Sequence, residues 1–216
     1  MSYQPADVIS AMLTRGTMPA LTWYGDGERI ELSGKVTAMH IVKILQYLRD
    51  DLGLDANSRL ILDLPIHWKS ILWHLAGLVT GCQVLTEVEQ LSWDDVVITN
   101  TPEAEPDDGV HLALNLQSLA LSWNGPLPIG YEDATAASMR FSDTIDTSTL
   151  HAEQLTVELP PQTASSSLAI YPTTFSDVTT RLIGAIISNH NLVIITPENN
   201  EEAILKAENA TIWDRI

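Results

Sequence analysis

The sequence predicts an α/β protein of two packed lobes, each with a mostly parallel sheet flanked by helices. Short apolar runs alternate along the chain with longer segments of helical periodicity, which is the order expected of βαβ units. The run Leu60–Leu62 is apolar at every position, as is typical of an interior parallel strand covered on both faces. With 216 residues, 45% of them hydrophobic, the protein can bury a core without a metal or a disulfide.

Apolar spacing predicts the elements of the first half in order. In the second predicted helix, Ile41, Leu45 and Leu48 recur at the spacing of one buried stripe, and Gly53 ends that helix. The full set is a helix over 6–14, strands over 21–24 and 28–32, a helix after Ser33, a strand over 59–64, a helix over 68–80, and strands over 84–85 and 96–99.

The segment 101–109 separates the predicted lobes. It contains Pro102, Pro106 and Gly109 with acidic residues between them, which is typical of an exposed loop. We therefore predict a first lobe over 1–105 and a second over 106–216. The second lobe is expected to hold a strand over 111–116, a helix over 131–140, a strand over 168–171, a helix over 176–188, a strand over 192–196 and a helix over 198–207.

Composition excludes several classes of function. The formal net charge of −17 disfavours nucleic acid and anionic membranes as partners. The sequence opens without a secretory signal and has no apolar run long enough to span a bilayer, so we expect a cytoplasmic protein. Cys82 is the only cysteine and is interpreted as a packed thiol. His67 and His74 are seven positions apart, which is not a zinc-ligand spacing, so no metal site is predicted.

Three stretches carry a resemblance to a known family. They are the strands within Leu21–Leu32, the turn, strand and proline of Asn57–Pro65, and the strand Asp94–Thr99. In this order they resemble the opening of the adenylate-forming enzymes, which include acyl-CoA synthetases, peptide-synthetase adenylation domains and luciferases. A weaker likeness follows over 182–186, 192–195 and 203–206. Overall the sequence looks like a truncated actinobacterial family of acyl-CoA-synthetase-like proteins, limited to their N-terminal part.

The family's catalytic parts have no counterpart here. The resemblance implies a Ser/Thr/Gly-rich loop that ends in lysine and holds phosphates, but the nearest composition, Thr163–Ser167, has no glycine and no lysine after it. Phe175 stands where acyl-CoA synthetases often have a histidine. The adenine-binding segment, the ribose-binding aspartate and the C-terminal domain with its catalytic lysine are also missing. We therefore predict no catalytic residue and no cofactor, and a role other than catalysis.

Any ligand site is expected at the carboxyl ends of parallel strands, where open α/β sheets bind their ligands. This reasoning selects Asp63, Pro65, Thr99 and Asn100 as candidate site residues. Asp63 is unusual in an apolar strand, so it must cap, form an ion pair or lie at the exposed strand end. The leading hypothesis is a non-catalytic protein that binds a ligand or an unidentified protein partner, with self-association possible. The alternative is a half-enzyme that completes an acyl- or nucleotide-processing site with another protein.

Overall fold

A computed structural model describes residues 1–103, 106, 108–150 and 152–215, and it contains parallel sheets flanked by helices, as predicted. Its strands are β1 Ser2–Tyr3, β2 Pro19–Gly25, β3 Glu28–Ser33, β4 Arg59–Asp63, β5 Gln83–Leu85, β6 Val96–Thr99, β7 Val110–Ala113, β8 Tyr131–Asp133, β9 Leu155–Thr156, β10 Ser167–Ile170, β11 Asn191–Ile195 and β12 Ala210–Ile212. Its α-helices are α1 Pro5–Arg15, α2 Gly34–Gln46, α3 Trp68–Thr80, α4 Ala134–Met139, α5 Phe175–Ile187 and α6 Glu201–Ala207.

The protein forms two compact units that differ from the predicted lobes 1–105 and 106–216. The first unit combines Met1–Met39 with Glu153–Ile216, and the second unit is His40–Ala152. The difference arises because β2 pairs in parallel with β11, which places an N-terminal strand in a C-terminal sheet. The predicted boundary itself falls beside residues 104, 105 and 107, which lie outside the described residues.

The first unit is built on a five-stranded sheet of order β12-β10-β11-β2-β3. Four of these strands are parallel, and β3 returns antiparallel to β2 through a tight turn at Asp26 and Gly27. Both turn residues have positive φ, 54° and 75°, as a hairpin of this hand requires. A short antiparallel pair, β1 with β9, joins the N-terminus to the C-terminal segment.

The second unit is built on a sheet of order β5-β4-β6-β7-β8, in which all five strands are parallel. Helix α3 connects β4 to β5 and is buried at 11 of its 13 positions. Gly77 lets this helix lie close to the sheet, because a Cβ there would be 2.7 Å from Val84 Cγ2 and 2.9 Å from Leu60 Cδ2. Helix α3 begins at the predicted residue and ends before Gly81, whose φ is 97°.

Several predicted elements differ in detail. The segment predicted as a helix over 131–140 is strand β8 followed by helix α4, because Asp133 ends the strand and caps the helix by accepting a hydrogen bond from the Ala136 amide. The last helix starts three residues later than predicted, at Glu201, where Asn200 caps it. Strand β12 was not predicted. Among the described residues, none of the helices is long and apolar enough to cross a membrane.

Helix α5 offers a direct test of the packing in the first unit. A Cβ at Gly184 would lie 1.7 Å from the backbone oxygen of Glu158, and a backbone atom cannot rotate away. We expect Gly184→Ala to lower the free energy of unfolding by about 1–3 kcal/mol or more, measured by urea denaturation. Gly77→Ala is the matched control, because it meets only side-chain atoms and should cost less. Equal stability of Gly184→Ala and the parent protein would contradict this packing.

Candidate functional site

The predicted site residues lie at one edge of the sheet in the second unit. Asp63 and Thr99 are register partners at the ends of β4 and β6, and the same row continues through Ala113 of β7 to Asp133 of β8. We call this row and the residues that directly follow it the carboxyl edge. Pro65 lies two positions beyond β4 and is exposed, and Asn100 directly follows β6 and is half-buried. The structure thus brings all four predicted residues to the same edge.

The strand order singles out one point along this edge. In sequence order, β4 is the first strand of the sheet, β5 is added on one side of it, and β6, β7 and β8 are added on the other. The connection from β4 to β5 therefore runs towards one edge of the sheet, and the connection from β5 to β6 runs towards the other edge. The two directions diverge at the boundary between β4 and β6. This is a topological switch point, where open parallel sheets form a ligand crevice outside the strand ends. Asp63 and Thr99 end the two strands that flank it.

Two side chains at the switch point are at least partly exposed to solvent. Asp63 is exposed and Asn100 is half-buried, and neither side chain has a hydrogen-bond or ion-pair partner within the part of the protein that the structure describes. Of the three interpretations of Asp63, the structure supports the exposed strand end. Thr99 differs, since its hydroxyl oxygen accepts a hydrogen bond from the Thr101 amide at 3.1 Å, which shapes the turn after β6.

A buried lysine that sequence reasoning missed, Lys69, binds the segment that follows β7 at this edge. Lys69, only 8% exposed, lies in the first turn of α3. Its ammonium donates to the backbone oxygens of Asn115 at 2.8 Å, Gln117 at 2.6 Å and Ala120 at 3.3 Å. It therefore fixes the segment that leaves β7. A charged residue inside an otherwise apolar helix was the available signal, because such a charge must find partners when buried.

His67 caps the same helix in its neutral form. Its Nδ1 atom accepts a hydrogen bond from the Lys69 amide at 3.2 Å. Burial, together with the nearby Lys69 charge, lowers the pKa of His67 to about 4, so the ring can accept this bond at neutral pH. Burial likewise lowers the pKa of His74 to about 4. Both imidazoles are therefore neutral at neutral pH.

Asp133 is the second residue of the edge that sequence reasoning missed. Its two carboxylate oxygens accept hydrogen bonds from the amides of Ala136 at 3.0 Å and Trp123 at 2.7 Å. It therefore caps α4 and anchors the loop before β8. Because this carboxylate is already bound twice, Asp63 is the acidic group of the edge that a ligand could engage.

The residues described do not assemble a known catalytic centre. Burial raises the pKa of the Cys82 thiol to about 11, so at neutral pH the sulfur is protonated and a poor nucleophile. His111 is buried, with its Nε2 3.3 Å from the Asp108 backbone oxygen and its ring beside Tyr131. Across the described ranges, no group of three or more His, Cys, Asp or Glu side chains could hold a metal ion.

In the first unit, strand β10 leads through the loop Tyr171–Thr174 into helix α5, which begins at Phe175. The helix start does not fit a phosphate. Asp177 lies in its first turn, where its amide donates to Thr174 Oγ1 at 3.1 Å and its carboxylate accepts from Thr173 at 3.0 Å. The same carboxylate pairs with Arg181 at 3.0 Å. An aspartate therefore already complements the helix dipole, and its charge would repel a phosphate.

Comparison with known proteins identifies the fold. Neither a protein-family model nor a curated protein matches the sequence. An acyl-CoA synthetase from Brucella canis matches with a TM-score of 0.64 at 12% identity, over 98% of this protein and 47% of that one. Acetoacetyl-CoA synthetase from Streptomyces lividans matches with a TM-score of 0.60 at 12% identity, over 90% and 38%. A fatty acid AMP ligase from Legionella pneumophila gives 0.56 at 12%, over 94% and 42%.

These matches confirm the predicted fold, that of the N-terminal part of adenylate-forming enzymes. The protein spans less than half the length of these structures. At such low sequence identity the likeness concerns the fold alone, so the activities of these enzymes cannot be assigned to this protein from the matches.

The buried histidines predict acid sensitivity. A ring whose pKa is about 4 when folded and 6.5 when unfolded contributes stability that is fully present above pH 6.5 and is lost as the pH falls through 4. The contribution is on the order of 3 kcal/mol for each ring. We expect the free energy of unfolding, measured in urea, to fall over this range and to fall less in His74→Leu. An identical pH slope in this variant would contradict the explanation.

Proposed function

We propose that this protein is a non-catalytic member of the adenylate-forming fold that binds a small ligand at the carboxyl edge of its second unit. The observation that carries the proposal is the position of Asp63 and Asn100. Both side chains lie beside the switch point between β4 and β6, and both lack partners among the described residues. Binding rather than catalysis is supported by the composition of Thr163–Ser167, the nearest match to a phosphate loop, which has no glycine and no lysine after it.

The chemistry of this edge favours a ligand without phosphate groups. Asp63 offers a carboxylate that accepts hydrogen bonds, and the Asn100 amide both donates and accepts. The nearby Lys69 ammonium is already bonded to backbone oxygens. The formal net charge of −17 adds a repulsive field for anions. Hydroxyl and amine groups complement such an edge, so the proposed ligand is an uncharged or cationic molecule that carries them.

Calorimetric titration of the pure protein tests the site with a matched pair of probes. Adenosine and AMP differ only by a phosphate, and ATP and CoA extend the anionic series. If either member of the pair binds, we expect adenosine to bind more tightly than AMP. Asp63→Asn should weaken binding of the preferred probe about tenfold, as the loss of one charge-assisted hydrogen bond predicts. Asp94→Asn is the control, because Asp94 is exposed just before β6, at the opposite end of that strand.

Three results would overturn parts of this proposal. Equal effects of Asp63→Asn and Asp94→Asn would remove the carboxyl edge as the site. Tight binding of ATP together with pyrophosphate release in the presence of a fatty acid would refute the non-catalytic role. A folded sample that binds none of the probes would exclude nucleoside-type ligands, and partner binding would then be tested next.

Association with another protein is the second candidate function. Three apolar side chains in the connection from β7 to β8 are exposed, Leu119 at 91%, Leu121 at 71% and Ile129 at 93%. Several exposed apolar groups within one connection favour contact with a protein. The coverage of under half of the similar synthetases also leaves room for a half-enzyme that gains its remaining parts from a partner or from a second copy.

Light scattering over a range of protein concentrations tests self-association. We expect the mass to rise with concentration, because association would bury the exposed leucines. The double variant Leu119→Ser/Leu121→Ser should stay monomeric, whereas Met18→Ser, which changes an exposed methionine in the first unit, should behave like the parent. A protein that is monomeric at every concentration would rule out self-association, and affinity capture of other proteins would then follow.

A further inference from the structure

The connection between β7 and β8 contains the dipeptide Asn124-Gly125, which is the sequence's one Asn-Gly pair. Both residues are exposed. Within the described residues, neither the Asn124 side chain nor the Gly125 amide has a hydrogen-bond partner. A Cβ built at Gly125 would meet nothing within 4 Å. The amide group of Asn124 can therefore rotate freely against the backbone amide that follows it.

From this geometry we infer that Asn124 is a site of spontaneous deamidation. The Gly125 backbone nitrogen attacks the Cγ atom of Asn124 and forms a new C–N bond. The bond between Cγ and Nδ2 of Asn124 then breaks, and ammonia leaves with the proton that the Gly125 nitrogen has lost. Water opens the resulting five-membered succinimide ring at either carbonyl, giving aspartate or isoaspartate. Glycine allows the attack because it has no Cβ to hinder the approach.

Asn57 shows why the surroundings matter as well as the residue type. It is also exposed and precedes a small residue, Ser58. However, the backbone amide of Ser58 donates to the Asp55 backbone oxygen at 3.1 Å, and the backbone amide of Asn57 donates to the Asp55 carboxylate at 2.8 Å. The attacking nitrogen is therefore held in a turn. We expect Asn57 to remain intact under conditions that convert Asn124.

Conversion at Asn124 would act on the neighbouring hydrogen bonds. The Trp123 amide donates to Asp133, and the Ser122 backbone oxygen accepts from Asn115 Nδ2 at 2.9 Å. Aspartate at position 124 adds a negative charge one residue from the amide that Asp133 binds. Isoaspartate adds a methylene group to the main chain at the same place. Both products weaken the anchoring of this loop at the ends of β7 and β8.

The test is ageing of the purified protein in mildly alkaline buffer, followed by peptide mass spectrometry and isoaspartate assay. We expect the mass gain of an amide-to-acid conversion at Asn124, with both products present, while Asn57 is unchanged. Asn124→Gln should block the reaction, since ring closure is slow for the longer glutamine side chain. The aged parent protein should also melt at a lower temperature than aged Asn124→Gln.

Three outcomes would overturn the inference. One is an intact Asn124 after a period that converts the same Asn-Gly pair in a short synthetic peptide. Another is conversion of Asn57 at the same rate as Asn124. The third is an equal amount of isoaspartate in the parent and in Asn124→Gln. Each result bears on the loop alone, because no ligand or partner is needed for the reaction.

Discussion

The first unit depends on the parallel pairing of β2 with β11. Leu21 to Tyr24 lie beside Leu192 to Ile195 in register, and the Asn191 side chain donates to the Thr22 hydroxyl across 169 positions of sequence. The second unit is inserted between these two strands in the sequence. Closing so long a loop costs little more than closing a loop of half that length, because the entropy grows only with the logarithm of length. The contact is nevertheless slow to form, so the pairing is tolerated at equilibrium but forms late in folding.

This non-local pairing marks the limit of what could be predicted from the sequence. Helix α3 and strand β6 have the predicted bounds, because apolar periodicity and the flanking Pro65 and Gly81 act over short distances. The partner of β2 left no comparable local signal, so the division into lobes at residue 105 followed the order of the sequence. Strand β12 was not predicted because it has only three residues, one of them buried. So short a strand shows no alternation of apolar and polar residues.

The common location of the candidate site residues was predictable for a different reason. Parallel strands end at a common edge whatever their order, so locating the ends of β4 and β6 was enough to place Asp63 and Thr99 together. The strand order that makes this a switch point could not be read from the sequence, because it depends on which face and side each connection takes. The contacts of Lys69 could not be predicted either, because its acceptors are backbone oxygens. Every residue has such an oxygen, so the sequence does not show which ones a lysine will reach.

The two helices that follow parallel strands begin with caps formed by the protein's own side chains. At the start of α5, Asp177 occupies the positive end of the helix dipole and is itself bound by Thr173 and Arg181. At the start of α3, the Lys69 amide is taken by a neutral His67 ring instead. Each of these caps satisfies one backbone amide at its helix start without a ligand, so both stabilise the fold. The exposed carboxylate of Asp63 has no such internal partner among the described residues, which is why we propose that the ligand carries hydroxyl or amine groups rather than phosphates.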